Sequence, residues 1–90
     1  MPSYLVETYL ARDQAGERAA LERRARSAAE ELTQERTGVR CEGSIHIPDD
    51  EICFFVFDAA SGRDVALAAQ HAWLEPLRVM EAFSSPKEER

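Results

Sequence analysis

The sequence predicts an α+β domain with elements in the order β-α-β-β-α-β, and three observations carry that prediction. Two apolar runs, Val39 to Ile47 and Ile52 to Phe57, are joined by Pro48-Asp49-Asp50-Glu51. Pro with paired Asp between two β-rich runs is a hairpin signal. Stretches with helical apolar spacing flank that hairpin, and one alternating run lies near each end of the chain. Ninety residues make one domain, small enough that its own core is marginal and a second copy would help.

The first strand is expected over Tyr4 to Leu10, with Tyr4, Val6, Thr8 and Leu10 on one face and Leu5, Glu7 and Tyr9 on the other. Asp13 is placed to N-cap a long helix over residues 15–37, closed by Gly38 where a left-handed residue is favoured. Leu21, Ala25, Ala28 and Leu32 form its apolar stripe. The rest is mostly Glu, Arg and Gln, a solvated surface on which Glu22 and Arg26 stand in the favourable i,i+4 order.

In the hairpin the expected register sets Ile47 opposite Ile52, Ile45 opposite Phe54 and Gly43 opposite Val56. The other face then pairs His46 with Cys53, Ser44 with Phe55 and Glu42 with Phe57. The first face is apolar throughout and is expected to cover the core. The second carries two Phe in line among polar residues, unusual for a wet surface, so a cover for it is expected too.

Ser61 and Asp64 make a capping pair for a second helix that ends near Leu74, ahead of Pro76. Val65, Ala68, Ala69 and Ala72 are its core stripe, Trp73 lies at the edge, and Leu67, His71 and Leu74 form a ridge facing away. The last strand, Leu77 to Phe83, alternates Leu77, Val79, Glu81 and Phe83 against Arg78, Met80 and Ala82. Residues 1–83 thus read as the domain and residues 84–90 as a flexible polar tail.

This order is the split-βαβ arrangement of ferredoxin-like folds, a four-stranded antiparallel-type sheet with two helices on one face. Strands one and three are expected to be central and parallel. The opposite face stays open, and Glu7, Glu42, His46, Cys53, Phe55, Phe57 and Glu81 are assigned to it. Two copies joined through such faces would make a dimeric α+β barrel-like assembly.

A net charge of −6 and a pI near 4.9, with no basic stripe, argue against a nucleic-acid partner. The opening Met-Pro-Ser-Tyr-Leu-Val-Glu has neither a basic region nor a long apolar region, and no apolar run approaches a membrane span. A cytoplasmic protein without membrane contact is expected. The expected register puts Cys41 and Cys53 on opposite faces of the hairpin, where they cannot bridge, so both are expected as reduced thiols.

Several short motifs carry a resemblance. They are Tyr4-x-Val6-Glu7, Ser44, Asp50-x-x-Cys53, Phe57-x-Ala59-x-Ser61 and Arg78-Val79-x-Glu81-Ala82. Over nearly the whole chain up to Ala82, the sequence resembles a small bacterial ferredoxin-like family of formerly unknown function, often described as nickel-binding. In that family a His commonly precedes the Ser equivalent to Ser44. Here that position is Gly43, and the nearest imidazole is His46.

Imidazole and thiolate suit borderline metals such as nickel or zinc, so His46 and Cys53 are the metal candidates, with Glu7, Glu42 or Glu81 to complete a site. The same two residues also read as a surface strand residue and a small buried hydrophobe. Glu7 and Glu81 on adjacent strands would be a carboxylate pair fit for acid–base work, or partners of Arg40 or Arg78. No nucleophile elbow or phosphate loop is present.

The leading functional reading is a non-catalytic homodimer that encloses a small ligand or metal ion among Glu7, Tyr9, Glu42, Phe55, Phe57 and Glu81. The alternative is a cofactor-independent oxygenase or isomerase of the dimeric α+β barrel type, marked by a deep pocket beside Glu7, Tyr9 and His46. A third reading is a partner domain that docks through Leu67, His71 and Leu74.

Overall fold

The computed structural model describes residues 1–83. The polar tail expected over residues 84–90 lies outside the described residues. The predicted order appears as β1 (Ser3–Tyr9), α1 (Arg18–Gln34), β2 (Val39–Ile47), β3 (Ile52–Ala59), α2 (Gly62–His71) and β4 (Pro76–Ala82). The strands form one sheet in the order β2-β3-β1-β4, with every adjacent pair antiparallel. This α+β arrangement is compatible with a ferredoxin-like fold. β1 and β3 are the central pair, as expected, but they run antiparallel rather than parallel. The hairpin reverses β3 relative to β2, so a strand slotted between β1 and β2 opposes both.

Val6, Phe55, Phe57, Val65 and Cys53 are the largest fully buried side chains. Ala25, Ala28, Ala29 and Leu32 of α1 and Val65, Ala68 and Ala69 of α2 close over them. Small Ala side chains at these contacts let both helices sit close to the sheet. The molecule is a slab of 37 × 36 × 19 Å, and its short dimension fits one helix layer on one sheet, about 10 Å apart. Among the described residues, one sheet face is therefore left without a helix.

That face is not the one the hairpin pattern predicts. Phe55 and Phe57 were expected on the open face and Phe54 and Val56 in the core; the structure reverses them, with Phe55 and Phe57 fully buried and Phe54 and Val56 only partly so. The register across the central pair gives the reason. Val6 stands opposite Phe55, Tyr4 opposite Phe57 and Thr8 opposite Cys53, and directly opposed residues share a face. The core face of β1, correctly expected as Tyr4, Val6, Thr8 and Leu10, thereby fixes that of β3.

From Gly43 to Ile47 the β2–β3 register is as expected, but it shifts between Cys41 and Gly43, so that Cys41 rather than Glu42 opposes Phe57. This extra residue is a β-bulge, and it reverses the facing of everything upstream. Cys41 and Cys53 are consequently both buried on the helix-covered side, not on opposite faces. Phe57 lies four residue steps along β3 from Cys53, a rise of about 13 Å. Both thiols are free, too far apart to bridge.

The helices also begin and end differently from expectation. Asp13 makes no cap bond; a 3₁₀ turn over Arg12–Glu17, with Gln14 outside helical geometry, delays α1 to Arg18. Gly38 is not the C-terminal cap. Arg36 takes the left-handed position at φ 78°, with Arg36 N–H donating to Thr33 O at 3.0 Å and Thr37 N–H to Leu32 O at 2.8 Å, a Schellman pattern. At α2 the Ser61 hydroxyl accepts from the Asp64 N–H at 3.3 Å, as predicted. α2 closes on the same pattern, with Trp73 at φ 62° and Leu74 N–H bonded to Ala69 O at 3.0 Å. This turn carries Leu74 into the core, so the expected ridge is reduced to Leu67 and His71.

Candidate functional site

The helix-free face of the sheet is built from alternate residues of all four strands. β1 supplies Leu5, Glu7 and Tyr9; their partners are Val56, Phe54 and Ile52 on β3 and, for Leu5 and Glu7, Met80 and Arg78 on β4. β2 adds Ile45 opposite Phe54 and Ile47 opposite Ile52. Ile45 and Tyr9 are 54% and 60% exposed. A contiguous apolar surface of this kind marks an interaction site more often than idle surface.

Among the described residues, Glu7 is the one carboxylate in the middle of this face. Its Oε1 accepts from Arg78 Nε at 3.0 Å, and the carboxylate is nearly enclosed, 12% exposed against 67% for Arg78. Glu81 does not join it. Glu81 opposes Tyr4 on the helix-covered side and is exposed at the sheet margin, so the expected carboxylate pair is not assembled. A single carboxylate neutralised by a guanidinium is suited to positioning rather than to shared-proton chemistry.

One end of the face is polar. Ser3 Oγ donates to Asp58 Oδ1 at 2.8 Å, and Arg40 meets Glu42 at 2.9 Å. Hydrogen bonding with Glu42 first, then with Ser3, holds the Asp58 carboxyl below the ordinary aspartate range, partly opposed by burial. Glu42, expected opposite Phe57, is instead exposed within the bulge.

His46 and Cys53 are register partners, as expected, but they lie on the helix-covered side. His46 Nε2 is 3.0 Å from the Leu10 carbonyl. The Cys53 thiol is fully buried, and burial pushes its pKa up, as it does for Cys41. Such thiols stay protonated at neutral pH, whereas a metal-ligating thiol must lose its proton. Among the described residues no group of three or more His, Cys, Asp or Glu side chains is arranged to hold a metal ion. His46 and Cys53 are thus two potential donors side by side, with no third His, Cys, Asp or Glu grouped with them among the described residues.

A polar cluster between α1 and β2 was missed from sequence. Ser44 Oγ donates to Glu22 Oε1 at 2.6 Å and accepts from Arg18 Nη1 at 2.8 Å, while Arg26 Nη2 meets Glu22 Oε2 at 2.9 Å. The Ser44 hydrogen bond, then Arg26, holds the Glu22 carboxyl below its ordinary range against the opposing effect of burial. Only the Glu22–Arg26 spacing was legible, because Ser44 lies 22 residues away on another element. A groove of about 750 Å³ between α1 and β2, lined in part by Arg26, Ala29, Thr33, Val39 and Cys41, includes none of Glu7, Tyr9 and His46. Glu7 and Tyr9 lie on one side of the sheet and His46 on the other, so these three do not share a pocket.

No helix among the described residues is long and apolar enough to cross a membrane. Compared with protein-family models, curated proteins and solved structures, the chain matches none.

Proposed function

We propose that the protein is a non-catalytic binding module that works as a homodimer, two open sheet faces stacking to enclose a small, largely apolar ligand. The observation that carries this reading is the unbroken apolar surface of Leu5, Ile45, Ile52, Phe54, Val56 and Met80, with a single internal ion pair, on a side of the sheet that no helix covers. Four strands about 4.8 Å apart and about seven residues long give a face of roughly 19 by 23 Å. Two such faces cover roughly 900 Å² in flat projection, and side-chain relief raises that toward the roughly 1,200 Å² of the smaller specific interfaces. A second copy also supplies the matching chemistry, apolar against apolar, with the neutral Glu7–Arg78 pair adding no net charge.

Light scattering after size exclusion at micromolar concentration should give about twice the chain mass of 10.1 kDa. Phe54→Asp should return it to monomer with an unchanged circular dichroism spectrum. A wild-type monomer would remove the reading. Native mass spectrometry of the purified dimer should then show a retained small molecule.

The resemblance to the nickel-associated family supports a second reading, in which His46 and Cys53 bind a transition metal after local rearrangement. Its structural support is that the two side chains are direct register partners. Nickel titration by calorimetry into wild type, His46→Ala and Cys53→Ser decides it: binding lost in both variants carries this reading, and three equal isotherms retire it.

A further inference from the structure

β2 is an outer strand of the sheet, and an outer strand carries a row of backbone groups with no strand to pair with. The alternation identifies them. Ala59 N–H donates to Pro2 O, and Leu10 N–H to Glu51 O, so the odd-numbered residues of β3 turn their backbone groups toward β1. The even-numbered ones bond to β2, where Arg40, Gly43, Ile45 and Ile47 face inward as their partners. Val39, Cys41, Ser44 and His46 therefore face outward.

Two side chains of α1 occupy that outward row from Val39 to Glu42. The Thr33 hydroxyl accepts from Val39 N–H at 3.1 Å and donates to Val39 O at 2.8 Å. Arg26 donates from Nη1 to Cys41 O at 3.0 Å and from Nη2 to Glu42 O at 3.2 Å. Thr33 and Arg26 are two helical turns apart, about 10.5 Å, which matches the roughly 10 Å that Val39 to Glu42 spans in a strand.

We propose that α1 stands in for a fifth strand: Thr33 and Arg26 take up hydrogen bonds along the Val39–Glu42 part of the outer edge of β2 and so bar a second copy from adding its own β2 in full register there. That copy is the natural occupant because two β2 edges, related by a two-fold axis, present the same row to each other in antiparallel register. β4, the other outer strand, has a different safeguard, opening on Pro76, which has no N–H, and carrying Arg78 and Glu81. The proposal does not depend on what covers the open face.

The test compares wild type, Thr33→Val, Arg26→Ala, the double variant and Glu22→Gln. Thr33→Val keeps the shape of the side chain and removes the hydroxyl; Glu22→Gln breaks the ion pair of Arg26 but leaves its carbonyl bonds. Mass is measured by light scattering from micromolar to near-millimolar concentration, at temperatures where each variant shows native circular dichroism and a cooperative melt. The double variant should reach twice the wild-type mass, with an amide I band of intermolecular β-structure. Val39 N–H should exchange at least tenfold faster in Thr33→Val, and Glu22→Gln should keep the wild-type mass. A folded double variant at wild-type mass throughout, or the same doubling in Glu22→Gln, overturns the proposal. If the double variant does not fold, Thr33→Val decides, and unchanged Val39 exchange with unchanged mass overturns it. The wild-type mass reports on the open face and its change on substitution reports on the edge, so the two ideas fail separately.

Discussion

Phe54 and Phe55 are adjacent in sequence and opposite in duty. Phe55 is fully enclosed between the sheet and the helices, while Phe54 stands on the helix-free face. Phe55→Ala should therefore cost about 3–5 kcal/mol, a large share of the stability of so small a domain. An unchanged denaturation midpoint would show that the core face has been misassigned. Hydropathy alone does not separate the two, since Ile52, Phe54 and Val56 are as apolar as Cys53, Phe55 and Phe57. The discriminating residue is Asp58, which continues the Phe54 side while Ala59 continues the Phe55 side and is buried. Glu22 offers a second test at this scale. Its folded carboxyl titrates below the ordinary glutamate range, with the Ser44 hydrogen bond as the main cause. A lowered folded pKa gives stability that is present above the unfolded value and lost as pH falls through the folded one. Glu22→Gln should flatten the acid limb of a stability–pH curve, and an equal acid loss in the variant would exclude the cluster as its source.

At the scale of elements, both helices end on a left-handed residue that is not glycine. Arg36 and Trp73 occupy that position at φ 78° and 62°, where a side chain costs about 1–2 kcal/mol relative to glycine. Arg36→Gly should raise stability by about 1 kcal/mol, a rise in melting temperature of about 4–8 °C for a domain of this size; a lower melting temperature would mean that the Arg36 side chain contributes more than its backbone strain costs. Gly38 was the visible stop signal, and it misled because the closing bonds run from Arg36 and Thr37 instead. The order of elements, the hairpin register beyond Gly43, the α2 cap and most of both helix stripes were legible, since each depends on local spacing. The bulge left one signal, a glycine inside a strand, and missing it misplaced Cys41 and Glu42. The Ser44–Glu22 cluster and the Thr33 and Arg26 bonds to β2 depend on how α1 is laid over the sheet, which no local pattern states.

For the whole molecule the governing fact is a slab 19 Å thick with one face uncovered by the described residues, carried on a chain of net charge −6. Apolar contact and charge make opposite demands on the proposed dimer. Stacking two faces removes apolar surface from water, whereas bringing two copies of net charge −6 together adds repulsion that acts over about 10 Å at 0.1 M salt. Salt screens the repulsion and leaves apolar burial in place, so raising sodium chloride from low to moderate concentration should tighten the dimer. Dissociation measured by sedimentation should move to lower protein concentration as salt increases, and sulfate should act in the same direction more strongly than chloride. A dimer that loosens with salt would be held by ion pairs, with Glu7–Arg78, Arg12–Asp49 and Arg40–Glu42 as the first to examine, and the apolar face would no longer be the reason two copies meet.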